Sequence, residues 1–280
     1  MTLTVGTGPF GHFPEGDFNF DLPRREGLLY FERFDRRMRA IFAGETVVDS
    51  RHPMLLHEHG RLPILYFPEA EVRTDLLEPS ESRSQDPGKG EAWRWHIRVG
   101  DRVSEDAAWS YPEPVEGAPP LAGHFAFEWG KVDTWLQEDV ENIGHVRDPY
   151  HRIDVLDTSR HVKVSLHGEV VAETTRARVL YETSLPPRWY IPREDVRTDL
   201  CEPSDLDTIC AYKGHASYHS VHAGGELEEN VVWHYKEPLH DAEPIRDYLA
   251  FFNERVDIEV DGELQERPMT QWHPDWGGRH

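Results

Sequence analysis

Residues 65–80 read LYFPEAEVRTDLLEPS, and residues 189–204 read WYIPREDVRTDLCEPS. The two stretches lie 124 residues apart (189 minus 65). A fixed internal spacing has to be settled before anything else, because a missed repeat misassigns the whole fold. With no insertion or deletion, the same spacing sets Gly44-Glu45 against Gly168-Glu169, Lys89-Gly90 against Lys213-Gly214, and Gly100 against Gly224. It continues through Glu105 and Glu229, Trp109 and Trp233, and Tyr111 and Tyr235. Ala126-Phe127 with Ala250-Phe251, and Val132-Asp133 with Val256-Asp257, close the series. A gapless match on this scale is a duplication. Each copy is too long for a solenoid unit and has the size of a small domain. The first copy is expected over 36–139 and the second over 160–263, with an N-terminal extension 1–35 and a C-terminal tail 264–280. The polar stretch 140–159, VENIGHVRDPYHRIDVLDTS, reads as the linker.

Strand signals dominate both copies. RAIFAG (39–44) is a β-branched and aromatic run ended by Gly44, and ETVVDS (45–50) reads as its hairpin partner. ILYF (64–67) stops at Pro68, which cannot donate to a sheet ladder. In WRWHIRVG (93–100), Trp93, Trp95, Ile97 and Val99 alternate with Arg94, His96 and Arg98, which is the period of a strand. Gly100-Asp101 turns it into RVSEDAAWSY (102–111), and SYHSVHAGGELEENVVWHY (217–235) repeats the hairpin around Gly224-Gly225. Short helices are expected only at PEAEVRTDL (68–76), its counterpart PREDVRTDL (192–200), and DTWLQEDVENI (133–143), on the strength of Pro and acidic starts. The class is mainly β, a β-rich α+β protein made of two tandem domains.

Charge and composition bound the partners. With 38% hydrophobic residues the 280-residue chain can build cores, and a formal charge of −22 repels phosphate backbones and anionic lipid. No nucleic-acid or membrane partner is expected. No apolar run reaches the length of a membrane span, and Met1 to Phe20 lacks the basic and apolar regions of a signal peptide. Cys201 and Cys210 are the only cysteines, too few for a disulfide framework, so a reducing, cytoplasmic setting is expected.

The motifs YIPREDVRTDLCEPSD (190–205), CAYKGHASYHSV (210–221), ENVVWHYKEP (229–238) and LAFFNERVDIEVDG (249–262) resemble the domain of unknown function 427 family. The first copy is similar to it through YFPEAEVRTDLLEPS (66–80) and AAWSYPEP (107–114) but departs between them. GLLYFERFDRRMRAIFAGETVVDS (27–50) and VDGELQERPMTQW (260–272) resemble the tandem form of that family. The resemblance implies a bent β-sheet fold, a β-tent similar to the Mss4-like proteins, in bacterial-type cytoplasmic proteins of no settled activity. A nucleotidyltransferase label sometimes attached to the family carries no chemistry by itself.

Several residue sets can carry chemistry. Arg197-Thr198-Asp199 with Glu202, and Arg73-Thr74-Asp75 with Glu78, read either as an anion clamp with a carboxylate base or as a corner held by an ion pair. Cys210-Ala211-Tyr212-Lys213-Gly214 offers a thiol near an ammonium, with Tyr212 as an oxyanion donor, while the first copy has Asp86 and Gly88 in place of Cys210 and Tyr212. The expectation is therefore a small-molecule pocket in the second copy. In it Cys210 or Lys213 would attack an electrophilic carbon, Asp199 or Glu202 would move the proton, and Arg197, Tyr218, His219, Asn230, Trp233 and Tyr235 would line the ligand. The aromatics Trp93, Trp95, Trp109, Tyr111, Tyr218, Trp233 and Tyr235 read as core or as the wall of a concavity. His215, His219 and His222 do not converge on one ion, since residues four apart on a strand are ~13 Å apart, so no metal site is expected. Asp205 and Asp207 form at most a weak nucleotidyltransferase carboxylate pair. The pattern names no cofactor. The alternative is a non-catalytic scaffold in which the two copies imitate a symmetric dimer.

Overall fold

The computed structural model describes residues 3–14, 16–20 and 26–275. They divide into two compact units, 1–150 and 151–280. In the first, a seven-stranded antiparallel sheet runs in spatial order Leu29–Arg33, Met54–Glu58, Ile64–Pro68, His124–Phe127, Arg102–Ser110, Gly90–Val99, Leu77–Asp86. A four-stranded sheet packs on it in the order Val140–Glu141, Thr134–Gln137, Met38–Phe42, Glu45–Ser50. The second unit repeats this with Ile153–Asp157, Arg178–Glu182, Arg188–Ile191, Leu249–Phe251, Glu226–His234, Gly214–Ala223, Cys201–Cys210, and a second sheet Glu169–Thr174, Val162–Leu166, Asp257–Val260, Glu263–Leu264. The protein is mainly β, and neither kind of sheet closes into a barrel. Leu29–Arg33 lies within 1–35 and Ile153–Asp157 within 140–159, so each large sheet takes a strand from the stretch read as extension or linker.

Each unit has an inner and an outer core. Met38–Phe42 and Val162–Leu166 alternate buried and half-buried residues, as a strand with one face on a second sheet must. Their inner faces meet the large sheet: Met38, Ala40 and Phe42 pack with Phe67, Ile97 and Phe127, and Val162, Val164 and Leu166 with Ile191, Val221 and Phe251. The opposite face of the large sheet carries a second cluster, with Tyr66, Trp109 and Tyr111 in the first unit and Tyr190, Trp233 and Tyr235 in the second.

The long hairpins bend at paired register shifts. These fall between Pro79 and Arg83 and between Trp95 and Ile97, and again between Pro203 and Asp207 and between His219 and Val221. Facing them, Asp106 and Asn230 hold positive φ angles of 49° and 54°. A bulge bends the strand that carries it and re-aims its side chains, so one long strand serves both cores.

The three helix expectations are corrected. Residues 68–76 and 192–200 each form two single turns of 3-10 helix, Glu69–Glu71 with Thr74–Leu76 and Arg193–Asp195 with Thr198–Leu200. The backbone needs extended values at Val72 and Val196, which bridge to the small sheet at Val48 and Ala172 and break any longer helix. Residues 133–143 are a hairpin of Thr134–Gln137 with Val140–Glu141, turned at Glu138 with φ 51°. Trp135 packing into the inner core overrides the acidic pattern that suggested a helix.

Candidate functional site

The turn Cys210–Gly214 lies against its own sheet. Gly214 has φ 102°, and a Cβ there would come within 3.2 Å of the Glu237 carbonyl oxygen. Leu239 N donates to the Lys213 carbonyl at 3.0 Å, which draws the next loop over the turn. Lys213 is thereby buried, and its ammonium ion-pairs with Glu182 at the end of Arg178–Glu182. His151 Nε2 adds a hydrogen bond to Glu182 Oε1 at 3.1 Å. Burial would push the Glu182 carboxyl up, but the Lys213 charge and the His151 bond outweigh it and hold it at about 2. Burial would lower the Lys213 ammonium, but the Glu182 charge keeps it well above the usual lysine range. Lys213 is therefore a buried, ion-paired ammonium. Tyr212 is buried and stacks on His151, with ring centroids 3.8 Å apart. Cys210 is a half-buried free thiol. The first unit builds the same pair from Lys89 and Glu58 at 2.5 Å, with Asp86, the counterpart of Cys210, adding a second carboxylate at 3.1 Å.

The residues expected to move protons lie elsewhere. Arg197 donates twice to Asp199 at 2.9 and 2.7 Å, both half-exposed, and Arg73 does the same to Asp75 at 2.8 and 2.7 Å. Arg197 N donates to Val171 O at 2.9 Å, as Arg73 N does to Val47 O at 2.8 Å, so these turns tie the small sheet to the large one. Glu202 accepts from His222 at 3.0 Å on the surface, and His215 faces Asp207 at 3.3 Å. Among the described residues no group of three or more His, Cys, Asp or Glu is placed to hold a metal ion.

Tyr218, Trp233 and Tyr235 belong to the outer core. Trp233 Nε1 donates to Tyr190 OH at 3.0 Å, Tyr218 OH meets Thr208 Oγ1 at 2.8 Å, and Phe252 lies 4.6 Å from the Trp233 ring. Arg188 stacks over Trp233 and binds buried Glu254 through two bonds of 2.7 Å. Asn230 is at the bulge, where its N–H donates to Ser220 Oγ at 3.1 Å and its side chain accepts from Ser204. It borders an open groove of about 490 Å³ with Glu202, Ser204, Asp205, Ser220 and Glu229. The residues of the expected pocket are thus separated, because the sheet's two faces and the bulge divide residues close in sequence.

His219 lies apart from all of these, on the inner face. Its ring stacks on His234 at 5.0 Å and 26°. His234 is 3% exposed. Both ring nitrogens of His219 and the Nδ1 of His234 are buried without a hydrogen-bond partner among the described residues. Burial lowers both imidazoles, His234 to about 4, and the positive charges of Arg193 and Lys236 push the same way. In the first unit Trp95 and Ser110 occupy these positions, with Trp95 Nε1 donating to Ser110 Oγ at 3.3 Å and Trp95 packing against Phe125. Leu249 stands in the place of Phe125, so two imidazoles and a leucine replace an indole, a hydroxyl and a phenyl ring at this corner.

Glu182, Tyr190 and His234 did not emerge from the sequence as site residues. The 124-residue spacing already pairs Glu58 with Glu182 and Tyr66 with Tyr190, which was a usable signal. For His234 opposite Ser110 there was none.

Fold and site together define a tandem duplication of a two-sheet β domain with one buried Lys–Glu pair per unit. The sequence model of the domain of unknown function (DUF427) matches residues 30–138 and again 154–262, and the chain belongs to that family. No curated protein matches it significantly. No helix among the described residues is long and apolar enough to cross a membrane.

Proposed function

We propose that the chain is a non-catalytic small-molecule-binding protein whose ligand site is the His219–His234 corner of the second unit. The carrying observation is the set of three buried imidazole nitrogens without partners among the described residues. Native interiors rarely leave such atoms unsatisfied, and each costs about 1–3 kcal/mol unless something binds there. The first unit, with Trp95 bonded to Ser110, has the same corner filled and satisfied. Catalysis through Cys210 loses support, since Lys213 is neutralised by Glu182 and Asp199 by Arg197, while Glu202 is hydrogen-bonded to His222 on the surface.

The test is the double variant H219W/H234S, which writes the first unit's pair into the second, with Leu249 in place of the larger Phe125 that packs on Trp95. A thermal-shift screen of small metabolites is expected to find ligands that stabilise the native chain and leave the variant unmoved. Ligands that stabilise both equally would place the site elsewhere.

A further inference from the structure

Strand register sets His234, Leu249 and Ile191 in one row across the large sheet, and Lys236 and Arg193 each follow two residues beyond that row. Both cations act electrostatically on His219 and His234. Both side chains are exposed, and neither forms an ion pair among the described residues. In a chain with 52 acidic and 30 basic residues, both cations are thus left without a carboxylate partner among the described residues. The first unit has Glu69 and Pro112 at the corresponding positions, so the corner changes from one negative charge to two positive ones. Asp247 is the acidic group acting on His234, and it acts most weakly of the charges there.

We infer that the second unit binds a small oxyanion, a phosphate or carboxylate group, between His219, His234, Arg193 and Lys236. This rests on the corner being the ligand site. An oxyanion offers only acceptors, and the corner offers imidazole N–H groups, a guanidinium fork and an ammonium. A metal ion would face two cations and find only two nitrogen ligands, short of the four that zinc takes. Inside the corner an anion also favours imidazolium, so binding takes up protons and strengthens as the pH falls.

The experiment titrates the full chain with inorganic phosphate and, separately, acetate, at pH 6 and pH 8, with ionic strength held by chloride. Side-chain ¹H–¹⁵N spectra of the histidines are followed beside the melting temperature. The expected result is a saturable rise of several degrees, larger at pH 6, with the His219 and His234 ring signals shifting together. R193A/K236A, which alters only exposed side chains, should weaken that response at least tenfold. A response to phosphate alone assigns a phosphate group, and to acetate alone a carboxylate. Acetamide and Zn²⁺ are the control probes. If either moves the two histidines and neither anion does, the oxyanion class is wrong while the binding corner stands. If no probe moves them, the oxyanion reading falls, and the metabolite screen on the native chain and H219W/H234S decides the binding corner separately.

Discussion

Lys213 and Glu182 meet as an ion pair in the outer half of the second unit, and Lys89 meets Glu58 at the same place in the first. The turn lysine comes from the hairpin at one edge of the large sheet and the glutamate from a strand near the other edge. The pair therefore fastens the covering loop, the hairpin and the strand together.

A buried pair is costly to break by halves, because the partner left behind is an uncompensated charge. K213M and E182Q are each expected to destabilise the chain by about 3–5 kcal/mol. K213M/E182M should recover a large part of that loss, since it leaves no uncompensated charge and gives up only the His151 hydrogen bond to Glu182. Urea unfolding followed by tryptophan fluorescence measures all three. Equal losses in the single and double variants would mean that the pair contributes real attraction beyond its desolvation cost.

The Arg197–Asp199 pair offers the opposite expectation. Both groups are half-exposed and 2.7 Å apart, and solvent screens them. D199N should shift stability by no more than about 0.5 kcal/mol and should leave ligand binding intact. A loss of binding in D199N would return the site to that corner and overturn its placement at His219 and His234.

These contrasts show what the sequence made legible. The 124-residue spacing revealed the duplication, and strand ends such as Glu58 and Glu182, or Val99 and Ala223, follow it residue for residue. Strands such as Met54–Glu58, Leu77–Asp86 and His124–Phe127, however, carry no alternation that a reading of the sequence picks out. Gly224 and Gly225, with φ 58° and 85°, form the turn their dipeptide suggested. The site was less legible because alternation specifies a face only relative to a strand's neighbours. Tyr218 and His219 are adjacent, yet one packs with Trp233 and Phe252 outside and the other stacks on His234 inside. Nothing in CAYKGHASYHSV says that Lys213 finds a glutamate 31 positions upstream. Only the duplicated Glu58 and Glu182 hint at it.

The imidazole pair predicts a pH dependence with a definite sign. His234 titrates at about 4 in the folded chain against an ordinary value of 6.5. Between these values the unfolded chain carries the extra proton, so stability falls as the pH drops through that window. The loss should be on the order of 2 kcal/mol between pH 7.5 and pH 4.5, and H219W/H234S should lack that component. Glu182, held at about 2 against 4.5, contributes its stabilisation above 4.5 and loses it only as the pH falls toward 2, so the two windows separate. Urea midpoints of both proteins across this range provide the measurement. Identical pH profiles would show that the histidines are solvated in the folded chain.

The bulge makes a last prediction about backbone rather than charge. Asn230 sits at φ 54° and Asp106 at φ 49°, a conformation that side chains crowd and that Asn and Asp tolerate better than most. The Asn230 N–H is satisfied by Ser220 Oγ at 3.1 Å and its side-chain oxygen by Ser204, so both conformation and side chain hold the bend. N230G removes the crowding but loses the Ser204 contact, and it should be close to neutral. N230A keeps the crowding and loses the contact, costing about 1 kcal/mol. N230V adds a branched carbon where none fits and should cost about 2 kcal/mol or more. The order Gly, Ala, Val in urea midpoint tests backbone strain directly. If Ala and Gly destabilise equally, the Ser204 hydrogen bond alone sets the position, and the bend does not depend on a left-handed residue there.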